Sequence, residues 1–155
     1  MRKSRAKKRH LEPDPKYNDV MATRFVNTLL RRGKKTVAFS IFYDTIDKIS
    51  EQTKDNGFEI WKKAVENLQP SVEVKSRRIG GANFQIPTEV RPARKIALSM
   101  QWLIQYAKER SGKSMADKLA AETIAAAKGE GAAFKKKEDV HKMAEANKAF
   151  AHFRV

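Results

Sequence analysis

One change of hydrophobic period decides the architecture of this chain. On both sides of residues 72–90 the apolar residues recur every three or four positions, the spacing of an amphipathic helix. Inside VEVKSRRIGGANFQIPTEV the pattern becomes two-fold, with Val72 and Val74 in one run and Phe84, Ile86 and Thr88 in the other. Gly80 and Gly81 stand between the runs, where a tight hairpin needs residues that accept positive φ. Pro87 fits only an edge strand, which suits a ribbon of two strands. At about 3.3 Å per residue, arms of this length reach on the order of 25 Å. Such a ribbon is marginal alone and needs a surface to lie on.

The flanking segments read as six helices. Val20, Met21, Phe25, Val26, Leu29 and Leu30 form the first stripe, behind a cap at Asn18 or Asp19 and ahead of a stop at Gly33. Ala38, Ile41, Phe42, Ile46 and Ile49 form the second. Asn56 with Glu59 reads as a capping box for the third, in which Phe58, Trp61, Ala64, Val65 and Leu68 face inward until Pro70 ends it. Pro92 suits the first turn of the fourth, whose core face is Ile96, Met100, Leu103, Ile104 and Ala107. Ser114 with Asp117 caps an alanine-rich fifth, and Gly129 and Gly131 separate it from a sixth carrying Val140, Met143, Ala144, Asn147 and Phe150. The expectation is a mainly all-α, bundle-like body of six helices with one β-hairpin protruding between helices three and four. Residues 1–16 form a basic extended arm, and 17–155 a single helical domain with the hairpin at 72–90.

Charge is the second constraint. The chain carries 33 Lys and Arg against 18 Asp and Glu, a formal +15, and a field of that size attracts polyanions. Residues 1–95 hold +11 (22 cations, 11 acids) and residues 96–155 hold +4 (11 cations, 7 acids), so the excess lies toward the N-terminus. Arg2, Lys3, Arg5, Lys7, Lys8 and Arg9, followed by His10, form a run without an acid that repels itself and cannot fold alone.

Catalytic chemistry finds little material. With no cysteine, disulfides, thiolate metal sites and cysteine nucleophiles are excluded. Gly112-Lys113-Ser114 and Gly33-Lys34-Lys35-Thr36 resemble the end of a phosphate-binding loop, but Ala107 and Thr28 stand where its first glycine is required. His141 and Glu145 share a helix face, yet no further ligand has metal-site spacing, and no metal is expected. Asp44, Asp47 and Glu51 line one face of the second helix beside Lys48 and read as a solvated, salt-bridged surface. No serine occupies a nucleophile elbow. No enzyme and no cofactor are expected. No apolar run approaches the roughly 20 residues of a membrane-spanning helix, and the basic N-terminus lacks the apolar stretch of a secretory signal. A cytoplasmic protein without a membrane role is the expectation.

Binding fares better. Arg31, Arg32, Lys34 and Lys35 bracket the end of the first helix, where a favourable dipole explains them as well as a ligand would. Lys75, Arg77 and Arg78 crowd one hairpin arm, where cations also guard a strand edge. Arg91, Arg94 and Lys95 occupy the first turn of the fourth helix, at the positive end of its dipole; a bound phosphate resolves that conflict. Few aromatic residues are free for base stacking, so a grip on the backbone of folded nucleic acid is indicated. An architectural DNA-binding protein with a basic β-ribbon is the competing reading, with Ile79 and Phe84 as apolar wedges.

Four stretches carry a family resemblance: RFVNTLLRRGKKTVAFSIFYDTIDKI, VEVKSRRIGGANFQIPTEVRPAR, SMADKLAAE and KKKEDVHKMAEANKAFAHFR. Together they resemble the bacterial form of small-subunit ribosomal protein seven, over nearly the whole chain. The resemblance implies a structural constituent of the small ribosomal subunit, a primary 16S rRNA binder that nucleates assembly of the 3′ major (head) domain. By position it implies rRNA contacts from Arg2, Lys3, Arg5, Lys7, Lys8, Arg9, His10, Arg32, Lys34, Lys35, Lys75, Arg77, Arg78, Arg91, Arg94, Lys95, Lys113, Lys135, Lys136 and Lys137. Gly80, Gly81, Ala82, Asn83 and Phe84 are implied to lie near exit-site tRNA and mRNA, with small-subunit proteins nine and eleven as neighbours.

Overall fold

The computed structural model describes residues 9–153, so Arg2, Lys3, Arg5, Lys7 and Lys8 lie outside the described residues. The described elements run α1 (Val20–Leu29), α2 (Lys35–Thr53), α3 (Gly57–Asn67), β1 (Val72–Ile79), β2 (Ala82–Glu89), α4 (Pro92–Glu109), α5 (Met115–Ala127) and α6 (Ala132–Ala146), then a 3-10 helix at Lys148–Phe153. A mainly helical fold with one antiparallel hairpin between the third and fourth helices is thus observed, as the periods predict. Two compact units divide within α2, Met1–Ser40 and Ile41–Val155.

In the first unit, Asp14 is buried and accepts from the backbone N–H groups of Lys16 and Tyr17, both at 3.0 Å. Thr23 Oγ1 donates to the Glu12 carbonyl at 2.9 Å, so the chain from Glu12 onward is tied to α1. Asp19 is the N-cap and accepts from Met21 N–H at 2.6 Å, while Ala22, Phe25, Val26 and Leu29 form the buried face. The helix stops earlier than Gly33, with Leu30 as its C-cap; Arg31, Arg32 and Gly33 form the link to α2, and Arg32 takes a φ of 52°.

In the second unit the core centres on Phe42, Ile46, Ile49, Trp61, Val65, Leu68, Met100, Leu103 and Leu119, all at most 2% exposed. Trp61 sits edge-on to Phe42 at 5.3 Å and stacks on Phe58 at 5.5 Å. Asn56 caps α3 through Phe58 N–H, but Glu59 turns to Lys62 at 3.9 Å, in place of the expected reciprocal box. Ser114 and Asp117 do form the reciprocal box at the start of α5. Lys48 of α2 also pairs with Asp117, and this bond, then those from Ser114, holds the carboxyl down at about 2.

The sixth helix differs from its expected face. Asn147 ends it as C-cap, so Phe150 belongs to the 3-10 helix that follows, and Met143 is 46% exposed. The buried positions are Ala133 and Ala144, small side chains that let α6 approach its neighbours closely. Lys137 Nζ donates to the Asn67 carbonyl at 2.6 Å, at the end of α3. Asn67 in turn donates from Nδ2 to the carbonyls of Ala126 and Ala127, at the end of α5. Unpaired carbonyls at two helix ends are thereby satisfied by side chains distant in sequence.

The hairpin pairs Val72 with Glu89 through Ile79 with Ala82, closed by Gly80 and Gly81 at φ of 57° and 91°. Positive φ at both central residues is the two-residue turn whose twist matches the strands. Directly opposed residues share a face, so Glu73, Lys75 and Arg77 lie with Thr88, Ile86 and Phe84. Helix α6 and the 3-10 helix pack on the hairpin: Phe84 meets Phe150 at 5.3 Å and Phe153 at 5.6 Å. The ribbon therefore finds the supporting surface it needs in its own C-terminal segment.

Candidate nucleic-acid interface

In the first unit, Arg9 and His10 are exposed, and so are Arg31, Arg32, Lys34 and Lys35 in and beside the α1–α2 link. Lys34 and Lys35 stand at the start of α2, which has no acid in its first turn, and Lys35 Nζ lies 5.7 Å from the centre of the Phe39 ring. The favourable dipole at the end of α1 thus fails to account for Lys34 and Lys35, because the start of α2 opposes them. His10, Leu11, Thr23, Asn27, Lys35 and Phe39 line a cleft of about 620 Å³ in this unit.

In the second unit the hairpin cations separate. Lys75 and Arg77 are on the face that α6 and the 3-10 helix adjoin, and Arg78 is on the other, opposite Asn83. Arg77 Nη1 donates to the Phe153 carbonyl at 3.1 Å, and Lys75 Nζ is 3.5 Å from Glu73 Oε1. The tip consists of Ile79, Gly80, Gly81 and Ala82; Asn83 is exposed below it, and Phe84 is engaged with Phe150 and Phe153.

At the root of the hairpin, Arg91 is the N-cap of α4, exposed and without a side-chain capping bond. No acid lies in the first turn of that helix. An acid comes instead from β1: Arg94 Nε donates to Glu73 Oε2 at 2.7 Å. Glu73 is 9% exposed, and the Arg94 side chain keeps 56% of its surface in solvent. The dipole conflict at Arg94 is therefore partly answered within the chain, while at Arg91 it stands. Lys95 is half-buried.

Elsewhere Lys113 is exposed in the α4–α5 link, Lys135 is exposed on α6 and Lys136 half-buried beside it. Lys137, grouped with them by sequence, is occupied at the end of α3. His141 Nε2 accepts from Ser71 N–H at 3.1 Å, just before β1. Burial, with Lys137 second, pushes the imidazole below its usual range and keeps it neutral for that role.

Sequence reasoning missed two carboxylates. Besides Glu73, it passed over Glu122, which has no exposed surface, pairs with Arg110 through Oε2 and accepts from Ala133 N–H through Oε1 at 2.8 Å. A lone acid on an otherwise apolar helix stripe is the signal that marks Glu122; the one that marks Glu73 is an acid at an alternating position just before a basic run. Among the described residues no cluster of histidines and acids suits a metal ion, and no helix is long and apolar enough to cross a membrane.

The sequence as a whole is similar to known proteins. The family model for ribosomal protein S7p/S5e matches residues 1–148. The chain is 61% identical over 154 residues to small ribosomal subunit protein uS7 of Cytophaga hutchinsonii, covering 99% of both chains. It is 54% identical to the protein of the same name from Amoebophilus asiaticus over the full length of both, and 58% identical to that of Salinibacter ruber over 94% of this chain and 93% of the relative.

Proposed function

The chain belongs to the ribosomal protein S7p/S5e family, structural rRNA-binding proteins of the small ribosomal subunit, and on that premise we propose that it is a primary 16S rRNA binder that nucleates assembly of the 3′ major (head) domain. It does so in the cytoplasm, as a structural component rather than a catalyst. The observation that carries the reading is the basic, acid-free start of α4 at the hairpin root, where Arg91 takes the N-cap position and Arg94 and Lys75 flank a buried carboxylate. The positive end of a helix dipole and the cations around it favour phosphate.

Each candidate residue has a part in this reading. Arg91, Arg94, Lys95, Lys75 and Arg78 grip the rRNA backbone from the hairpin root and outer face. Arg32, Lys34, Lys35, Arg9, His10 and the basic arm before them supply a second grip, and Lys113, Lys135 and Lys136 a third. Lys137 and Arg77 act chiefly within the fold, on Asn67 and Phe153. Gly80, Gly81, Ala82 and Asn83 form the part of the hairpin nearest exit-site tRNA and mRNA, and small-subunit proteins nine and eleven are the neighbours. Engagement of Phe84 by Phe150 and Phe153 disfavours the DNA-bending alternative, since a side chain already packed makes a poor intercalating wedge.

Reconstitution of small-subunit particles with variant protein tests the proposal. An Arg94→Glu change would set two carboxylates face to face at Glu73 and damage the fold, so the informative variant is Arg91→Asp with Lys34→Ala and Lys35→Ala. It is expected to keep the circular dichroism of the parent and to fail to enter head particles. Entry at the parental level would overturn the reading.

A further inference from the structure

We infer that Glu73, an acid at the centre of the basic hairpin root, is a positioning residue for RNA recognition that acts through Arg94; the inference rests on the rRNA-binding reading above. Charge arithmetic says the opposite, because a carboxylate among cations repels phosphate and its removal should tighten the grip. Geometry argues against that arithmetic.

Each oxygen of Glu73 holds one cation, Arg94 Nε on Oε2 at 2.7 Å and Lys75 Nζ near Oε1 at 3.5 Å. The carboxylate itself is nearly buried, on the hairpin face that also carries Ile86, whereas the two cations keep 56% and 62% of their side-chain surface in solvent. Burial thus fixes the acid, and the acid fixes the two cations at its edge. A guanidinium bound through Nε alone still has its two terminal nitrogens, the pair that engages a phosphate with two parallel hydrogen bonds. Arg94 also lies in the first turn of α4, at the positive end of the helix dipole, which adds to the attraction of its fork for an anion. Glu73 therefore gives up some unspecific attraction and holds the Arg94 fork in one orientation, which favours an RNA whose phosphates match it. Binding by shape requires fixed contacts of this kind.

The full-length protein, the Glu73→Gln variant, Arg94→Ala and the double variant are titrated with a 16S 3′ major-domain transcript and with unrelated RNA of equal length. Glu73→Gln is expected to weaken cognate binding by about tenfold, the scale of one charge-assisted hydrogen bond, while unrelated RNA binds as well or better. In the Arg94→Ala background the same change is expected to cost nothing more, since nothing remains to be positioned. Should Glu73→Gln fail to fold by circular dichroism, Arg94→Lys replaces it: the charge stays, the fork is lost, and selectivity is expected to fall likewise. Unchanged selectivity in the folded variant, or an equal loss with and without Arg94, overturns the inference. Failure of the unmodified protein itself to prefer the cognate transcript overturns the rRNA reading instead.

Discussion

The two ends of α4 use the same chemical pair in opposite ways. At its end, Arg110 pairs with Glu122, an acid with no exposed surface whose second oxygen caps α6 at Ala133 N–H. Near its start, Arg94 pairs with Glu73, whose partners are open to solvent. At this sealed end the acid is wholly buried and both its oxygens are spent on joining α4, α5 and α6, although Arg110 keeps 34% of its own side-chain surface in solvent. The helix dipole agrees with it, since a cation belongs at a helix C-terminus. The Arg94 pair opposes the dipole and leaves guanidinium nitrogens facing outward, where an external anion can use them. A pair whose acid is wholly buried and tied to a helix start serves the fold, and a more open pair of the same composition can serve both fold and ligand.

The largest effect expected from this contrast is on stability at the sealed end. Glu122→Ala leaves the buried Ala133 N–H without an acceptor and partly exposed Arg110 without its carboxylate, losses that together cost about 2–4 kcal/mol. Urea unfolding measures it, and a loss below about 1 kcal/mol would erase the distinction between the two ends. Gly131→Ala should act on the same cluster: φ is 94°, and the added Cβ would lie 3.0 Å from Glu122 Oε1. That backbone strain costs about 1–3 kcal/mol, and a neutral result would say that the cluster yields easily.

At the open end the signs diverge. Arg91→Asp installs a preferred N-cap before Pro92 and removes a cation from the positive end of the dipole, so it is expected to stabilise the protein by about 0.5–1 kcal/mol. The same change is expected to weaken RNA binding. Thermal unfolding and filter binding on one preparation test both, and movement of the two in the same direction would break the comparison.

The smallest effect concerns His141. Its folded pKa lies below the ordinary 6.5, so the unfolded chain takes up the proton first. The stability contributed by the neutral ring is complete above about pH 6.5 and is lost as the pH falls below it. Denaturation midpoints at pH 7.5 and 5 should differ more for the parent than for His141→Gln, and an equal difference would remove His141 from the account.

What the sequence made legible was local. The period change, the Gly80-Gly81 turn, the Asp19 cap and the Ser114–Asp117 box each depend on residues a few positions apart, and each is found where its pattern lies. Phe150 was misplaced because helical spacing continues past Asn147 although the helix does not. The site was legible as charge but not as division of labour. Lys135, Lys136 and Lys137 read alike, yet Lys137 alone reaches a helix end 70 residues away. Arg94 and Arg110 meet acids 21 and 12 residues distant, pairings that no local pattern encodes. Phe84 looked like part of the tip because nothing in the hairpin itself announces the aromatic residues that cover it.

The central claim is that the cations held at the hairpin root, with those of the α1–α2 link contributing from their own unit, bind folded 16S rRNA by its backbone. Its most direct test is the affinity of the intact protein for a 3′ major-domain transcript, for unrelated RNA of equal length and for duplex DNA, across a salt series. The account predicts that the cognate transcript binds tighter by orders of magnitude at physiological salt, with log K falling by roughly 0.7 to 0.9 for each phosphate neutralised. Equal affinities for all three polyanions, lost together as salt rises, would contradict it.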